Sequence, residues 1–249
     1  MKALITGASS GIGRDMAKYL SKKNIEVYAV GRNKERLNEL KKAINCRIYE
    51  CNLAEREEVF KLYHELKEEN IDILINNAGF GIFGAFDETE LKTELELIDT
   101  NITALHILTK CFYMDFAKRG SGYILNVASS AGFMAGPLLS SYYASKNYVL
   151  QLTKAIYEEN RRKKNNVRIS VFCPGPVNTN FNDRAGVRFA MPGISSEYAA
   201  KYAIDNMFKN KLIIVPAFKM KLGVFALRLV SHKTALKIAF HIQKRKNNT

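Results

Sequence analysis

Carboxylates run out before the chain does. No Asp or Glu follows Asp205, while ten Lys or Arg do, so the first 205 residues hold only +4 of a net charge of +14. The basicity is therefore mostly a property of the C-terminal tail. Its cations are not interleaved with the aromatics that would stack bases, so no nucleic-acid partner is expected. Cysteine is scarce as well. Cys46, Cys51, Cys111 and Cys173 lack metal-ligand spacing, and three of them lie in apolar runs, as buried reduced thiols do. No metal is expected, and the cysteine usage points to a cytoplasmic protein. Two further features are missing. No apolar run reaches the ~18 residues that cross a bilayer. No cleavable signal pattern is found at Met1, which leads straight into a strand-like run. What is there is 249 residues at 47% hydrophobic, enough for one large α/β domain with a well-buried core.

The first seventy residues read as half of a nucleotide site. Lys2 to Thr6 is a short apolar strand, and Arg14 to Lys22 has helical periodicity through Met16, Ala17 and Leu20. Between them lie Gly7, Ser9, Ser10, Gly11, Ile12 and Gly13, in a G-x-x-x-G-x-G spacing. Strand, glycine loop and helix is the context that a dinucleotide motif needs. The helix N-terminus offers free N–H groups and a positive dipole end to a pyrophosphate, and the serines add hydroxyl donors. A second strand, Glu26 to Val30, ends in Gly31 and Arg32. An NAD site usually carries an acidic residue here for the adenosine ribose. A guanidinium would instead hold a phosphate on that ribose, so NADP(H) is expected over NAD(H). A third strand, Arg47 to Cys51, leads to Asn52 and Leu53, then to a helix from Glu55 to about Glu69 with a charged outer face that includes His64.

Farther along, Ile71 to Ile75 reads as a buried strand ending in Asn76, Asn77, Ala78 and Gly79, small residues that permit close backbone approach to a cofactor. A long helix is expected from about Glu90 to Cys111, with Asn101 inside it. Asn is a poor helix former, and one flanked by Ile98, Ile102 and Leu105 needs a partner. Tyr123 to Val127 is a further buried strand that ends near Ser129 and Ser130, and helical character begins at Tyr142. Residues four apart share a helix face, so Tyr142 and Lys146 point the same way. A serine, a tyrosine and a lysine converging at a strand end suggest proton transfer. Moving a tyrosine from about 10 to about 7 takes about 4 kcal/mol. An ammonium at about 5 Å, with an effective dielectric of about 20, supplies roughly 3 kcal/mol of it. Ser130 and Tyr143 compete for the same assignments on local pattern alone.

The run from Thr6 to Gly13, Asn76-Asn77-Ala78-Gly79, Asn101, Ser129, the Tyr142-to-Lys146 helix start and Pro174-Gly175 together resemble the single-domain short-chain dehydrogenase/reductase family, in order and in spacing. The resemblance covers residues 1 to about 215. It implies an α/β fold: a single doubly wound Rossmann-type domain, with a mostly parallel seven-stranded sheet and helices on both faces. It also implies an enzyme that moves hydride between NADP(H) and a carbonyl or alcohol. Family spacing selects Ser129 over Ser130 and Tyr142 over Tyr143. Tyr142 would be the general acid for reduction, and Lys146 would lower its pKa and hold the nicotinamide ribose. Ser129 would bond the substrate oxygen, and Asn101 would orient a relay water. Asn52 and Leu53 match the adenine contact, with Asn where Asp is commoner. Val177 and Thr179, after Pro174 and Gly175, would meet the nicotinamide carboxamide. Relatives are often dimers or tetramers. Rival readings are an NADP-dependent alcohol oxidation and a nucleotide-sensing or nucleic-acid-binding protein on the same fold.

The C-terminal third carries less pattern. Val167 to Cys173 is a β-branched strand, Ser195 starts a helix reaching about Phe208, and Leu212 to Val215 is a last short strand. Between them, residues 180–196 read as a substrate lid holding Phe181, Phe189 and Met191 beside Arg184 and Arg188. Such a lid would suit an apolar substrate with an acidic head, such as an acyl thioester, but core packing plus surface charge explains the same residues and is the preferred reading. The nucleotide-binding and catalytic domain is expected over residues 1–218, with a basic helical extension over 219–249. There Met220 to Val230 is apolar nearly all round. From Lys233 to Arg245, Lys233, Lys237, His241 and Lys244 share one face, and Leu236, Ala239, Phe240 and Ile242 lie toward the other. That helix could cover the substrate cleft, form a dimer contact or lie on an anionic membrane surface.

Overall fold

The computed structural model describes residues 1–179, 193–216 and 231–245. The expected lid with Phe181, Arg184, Arg188, Phe189 and Met191, the Met220–Val230 segment and the domain boundary at 218 lie outside the described residues.

Strands and helices alternate: β1 (Lys2–Thr6), α1 (Gly11–Ser21), β2 (Glu26–Gly31), α2 (Lys34–Ile44), β3 (Arg47–Glu50), α3 (Arg56–Leu66), β4 (Ile73–Asn76), α4 (Leu91–Ile98), α5 (Leu105–Arg119), β5 (Gly122–Val127), α6 (Ser140–Arg162) and β6 (Val167–Phe172). Two-residue strands β7 (Val177–Asn178) and β8 (Ile194–Ser195) follow, then α7 (Ser196–Phe208), β9 (Ile213–Ile214) and α8 (His232–Arg245). Seven strands form one sheet in the order β3-β2-β1-β4-β5-β6-β9, every neighbouring pair parallel. Parallel strands need crossovers, and the helices supply them on both faces. The two-residue periodicity divides the core. Ala3, Ile5, Val27, Ala29, Ile73 and Ile75 meet α1, α2 and α7 on one face. Leu4, Tyr28, Val30, Leu74 and Ile124 meet α3 and α5 on the other. The expected sheet is present, and so is the helical segment near the C-terminus.

Two features depart from simple expectation. The helix expected to end near Cys111 runs on to Arg119, and its middle, Asp99–Ala104, is a π-helical turn. Asn101, fully buried at that turn, accepts from Phe80 N at 3.0 Å and donates to Phe80 O at 2.9 Å. It therefore spends its amide on the loop after β4, which the wider turn brings within reach. The second feature lies inside the sheet. Asn126, on a strand that reads as apolar, is fully buried. Its Oδ1 accepts from Asn76 at 2.9 Å and from Thr109 at 3.2 Å, and its Nδ2 donates to Thr153 at 3.0 Å. These bonds tie β4, β5, α5 and α6 together just beneath the strand ends where the site lies.

Asn126→Leu keeps the volume and removes every bond, leaving three buried polar groups short of partners. Urea unfolding should show a loss of about 2–4 kcal/mol. A loss below about 1 kcal/mol would mean that the network contributes little.

Candidate active site

The sheet order turns back on itself between β1 and β4, and that switch point opens the crevice where doubly wound folds take ligands. The turn after β1 needs glycine. Gly7 and Gly11 have φ of +65° and +53°, and a Cβ on Gly13 would sit 2.4 Å from Gly7 O. Ser10 precedes α1 in extended conformation and makes no capping bond with its side chain. Among the described residues the first N–H groups of α1 have no other acceptor, and an anion suits them. Ser9 packs against Gly31, where a Cβ would lie 3.2 Å from its hydroxyl. Ile12 packs on the core beneath the loop.

Beyond Gly31, Arg32 is exposed and makes no ion pair or hydrogen bond with the described residues. Arg14 differs, lying 3.8 Å from Glu39. Asn52 turns its Oδ1 to Ala54 N at 3.3 Å, while Leu53 is buried in the core. Asn77 braces the loop: its Nδ2 donates to Thr6 O at 3.1 Å and Gly7 O at 3.3 Å, and its own N–H, with that of Ala78, reaches the Thr6 hydroxyl. On the far side, Pro174 O accepts from Ser130 N at 2.7 Å. The chain then passes Gly175 and buried Val177 to Thr179, whose methyl would stand 3.2 Å from a Cβ on Gly11. Gly7, Gly11, Gly13, Asn77, Ala78 and Thr179 are thus brought together around the turn after β1, whereas Leu53 belongs to the core. The glycine turn, unspent helix N–H groups and lone guanidinium fit a dinucleotide.

The polar cluster sits at the end of β5. Ser129, two residues past the strand, caps the Ser130–Phe133 turn by accepting from Ala131 N at 3.1 Å and is hydrogen-bonded to the Tyr142 hydroxyl. Lys146 is 4% exposed, lies 5.8 Å from the centre of the Tyr142 ring and donates to Val127 O at 3.0 Å. A Cβ on Gly79 would stand 2.9 Å from Asn101 Oδ1 and 3.2 Å from Lys146 Nζ, so the glycine is what lets these three meet. Asn101 also donates to Ser145, whose hydroxyl bonds the Tyr142 carbonyl at 2.7 Å. The two competitors are bonded differently. Ser130 gives its backbone N–H to Pro174, and the Tyr143 hydroxyl accepts from Gln243 Nε2 at 2.6 Å, while among the described residues no cation lies over the Tyr143 ring as Lys146 does over that of Tyr142. Gln243 and Ser145 were not legible as site neighbours. Nothing in the local pattern marks Gln243, a hundred residues from its partner.

The electrostatic expectation needs correction. Burial pushes the Tyr142 phenol up to about 12, against a smaller downward pull from the Ser129 bond. Burial also holds the Lys146 ammonium down at about 8. The Coulomb arithmetic considered the attraction between the two groups and left out the desolvation of both, which here is larger. Bound nucleotide would change that balance. Without it the phenol keeps its proton throughout the neutral range.

A sheet that reverses over a glycine turn makes this a Rossmann-type nucleotide-binding fold. Comparison with known proteins narrows the class. A family model described as short chain dehydrogenase matches residues 1–187. An uncharacterized oxidoreductase of Staphylococcus saprophyticus is 33% identical over 185 residues, covering 71% of this chain and 78% of its own. A short-chain dehydrogenase from Sphingobium yanoikuyae in complex with NADPH superposes with a TM-score of 0.82 at 27% identity, covering 91% of this chain and 92% of the other. A short chain dehydrogenase/reductase from Burkholderia phymatum in complex with NAD gives a TM-score of 0.81 at 21% identity, covering 90% and 91%, and speaks for the fold alone. The chain belongs to the short chain dehydrogenase family and is an oxidoreductase of the type that uses a nicotinamide cofactor. The cofactor differs between the two solved neighbours, so the fold leaves that choice to local residues. Among the described residues no helix is long and apolar enough to cross a membrane, and no group of His, Cys, Asp or Glu could hold a metal ion.

The depressed Lys146 pKa has a consequence for stability. Between pH 8 and 10.5 the unfolded chain holds the lysine proton and the folded one does not, so wild type should gain stability as pH rises through that window. Lys146→Met lacks the buried charge and should lack the slope. The curves should differ by roughly 3 kcal/mol more at pH 7 than at pH 10. Parallel curves in chemical denaturation would show that the ammonium is solvated in solution.

Proposed function

We propose that the protein is an NADPH-dependent carbonyl reductase, in which Tyr142 protonates the oxygen of a ketone or aldehyde. The observation that carries this reading is the convergence of Ser129, Tyr142 and Lys146 beside the glycine-turn crevice. Bound NADPH would supply the hydride. The chain's own residues handle the oxygen and the proton. Ser129 shares a hydrogen bond with Tyr142 and would hold the substrate oxygen next to the phenol. Lys146, poised over the Tyr142 ring, would stabilise the phenolate left after proton transfer and bond the nicotinamide ribose. Asn101, bonded to Ser145 and to the loop after β4, would keep a water in place to return the proton.

The preference for NADPH rests on Arg32, a guanidinium at the end of β2 with no carboxylate bound to it among the described residues. Ser9, packed beside Gly31, adds a hydroxyl on the same side. Helix α8 is proposed to cover the substrate cleft, through Gln243 on Tyr143. A family of this kind commonly assembles into dimers or tetramers, and the same is proposed here.

Two measurements test the reading. Tyr142→Phe should lower kcat/KM for a generic ketone by about 100-fold or more while NADPH still binds. Turnover near the wild-type rate would exclude Tyr142 as the acid. Arg32→Ala should weaken NADPH about tenfold and leave NADH affinity nearly unchanged. Equal losses for both nucleotides would remove the 2′-phosphate assignment.

A further inference from the structure

Gln243 lies on α8, is 2% exposed and gives its Nε2 hydrogen to the Tyr143 hydroxyl. A phenol oxygen that accepts a hydrogen bond keeps its own O–H to donate. Accepting also polarises the group and makes it the stronger donor. That O–H has no acceptor among the described residues. Its ring packs edge to face on Tyr142, with centroids 6.1 Å apart, and both rings join Phe83 and Leu139 in one apolar cluster. Phe83 also lines a cavity of about 440 Å³ together with Leu138, Glu88 and Lys244, a size that suits a small organic molecule. The same helix thus braces Tyr143 with one residue and edges the cavity with the next.

We infer that Tyr143, held by Gln243, is a second substrate contact, donating its O–H to an acceptor oxygen other than the reacting carbonyl. The favoured substrates are then oxo compounds with a second carbonyl a few bonds away, such as 3-oxo esters or thioesters, over simple ketones. The inference rests on the carbonyl-reductase reading and adds to it a residue and a substrate class.

The test compares ethyl 3-oxohexanoate with nonan-4-one, which has the same chain length and reacting position but lacks the second carbonyl. Each variant is divided by wild type for each substrate, which cancels intrinsic reactivity. Tyr143→Phe should raise KM for the oxo ester about tenfold more than for the ketone, with kcat moving less than KM. Gln243→Leu, which leaves the phenol unbraced, should shift the ratio the same way by a smaller factor. NADPH binding, followed by nucleotide fluorescence, should stay within about twofold of wild type in both variants. Equal KM changes for the two substrates, or a change in kcat alone, would overturn the inference and leave the reductase reading standing. Wild type that reduces neither compound would overturn both. If Tyr143→Phe lost NADPH binding, the Gln243→Leu ratio alone would decide.

Discussion

The site depends on one buried ammonium. Lys146 is enclosed among Gly79, Asn101, Val127 and Tyr142, and burial holds its pKa down at about 8. A cation in such a place is costly unless its donors are used, and Val127 O is the acceptor that the protein provides. The remaining ammonium hydrogens suit ribose hydroxyls. This single requirement explains much of the local architecture. Gly79 must lack a side chain so that the loop can close on Lys146 and Asn101. Asn101 must leave the α-helical path to hold that loop, hence the π-helical turn. Ser145 must bridge Asn101 and the Tyr142 carbonyl, which sets the first turn of α6. Beneath them the Asn126 network locks the two strands whose ends carry the site.

The architecture was legible because its signals are periodic and local. Alternation along β1, β2 and β4, and glycines placed directly between β1 and α1, need only a few neighbouring residues to read. Tyr142 and Lys146 were legible as a pair for the same reason, since four residues on a helix are one turn. Their protonation was not. Attraction between two named groups can be estimated from spacing, but desolvation is a property of everything packed around them, and that part reversed the sign for Tyr142. Asn126 escaped notice because one polar residue in an apolar strand looks like noise until its partners on β4, α5 and α6 are in view.

The helix near the C-terminus shows the limit of helical-wheel reasoning. Its cations were expected on one face and its apolar residues on the other. Among its described side chains the helix buries Ala239 and Gln243, while Leu236, Ile238 and Phe240 stay 41%, 51% and 39% exposed, and the Ile242 side chain lies outside the described ones. The small side chain of Ala239 allows close approach, and the Gln243 amide meets the Tyr143 hydroxyl. The buried face was thus selected by fit to a particular partner, and hydrophobicity along α8 alone could not show it.

That fit is not free of strain in hydrogen bonding. Gln243 uses its Nε2 on Tyr143, but its Oε1 is buried with no partner among the described residues. An unmet carbonyl of this kind costs about 1–3 kcal/mol, and a Leu or Met at 243 would avoid it while filling similar space. Such a substitution would remove the one hydrogen bond that orients the Tyr143 hydroxyl. A polar residue that is unfavourable for docking α8, yet sets the direction of a donor next to the proposed acid, is better explained by what the donor binds than by the stability of the helix. The basic outer face does not account for it either, because Gln243 lies on the opposite, buried side.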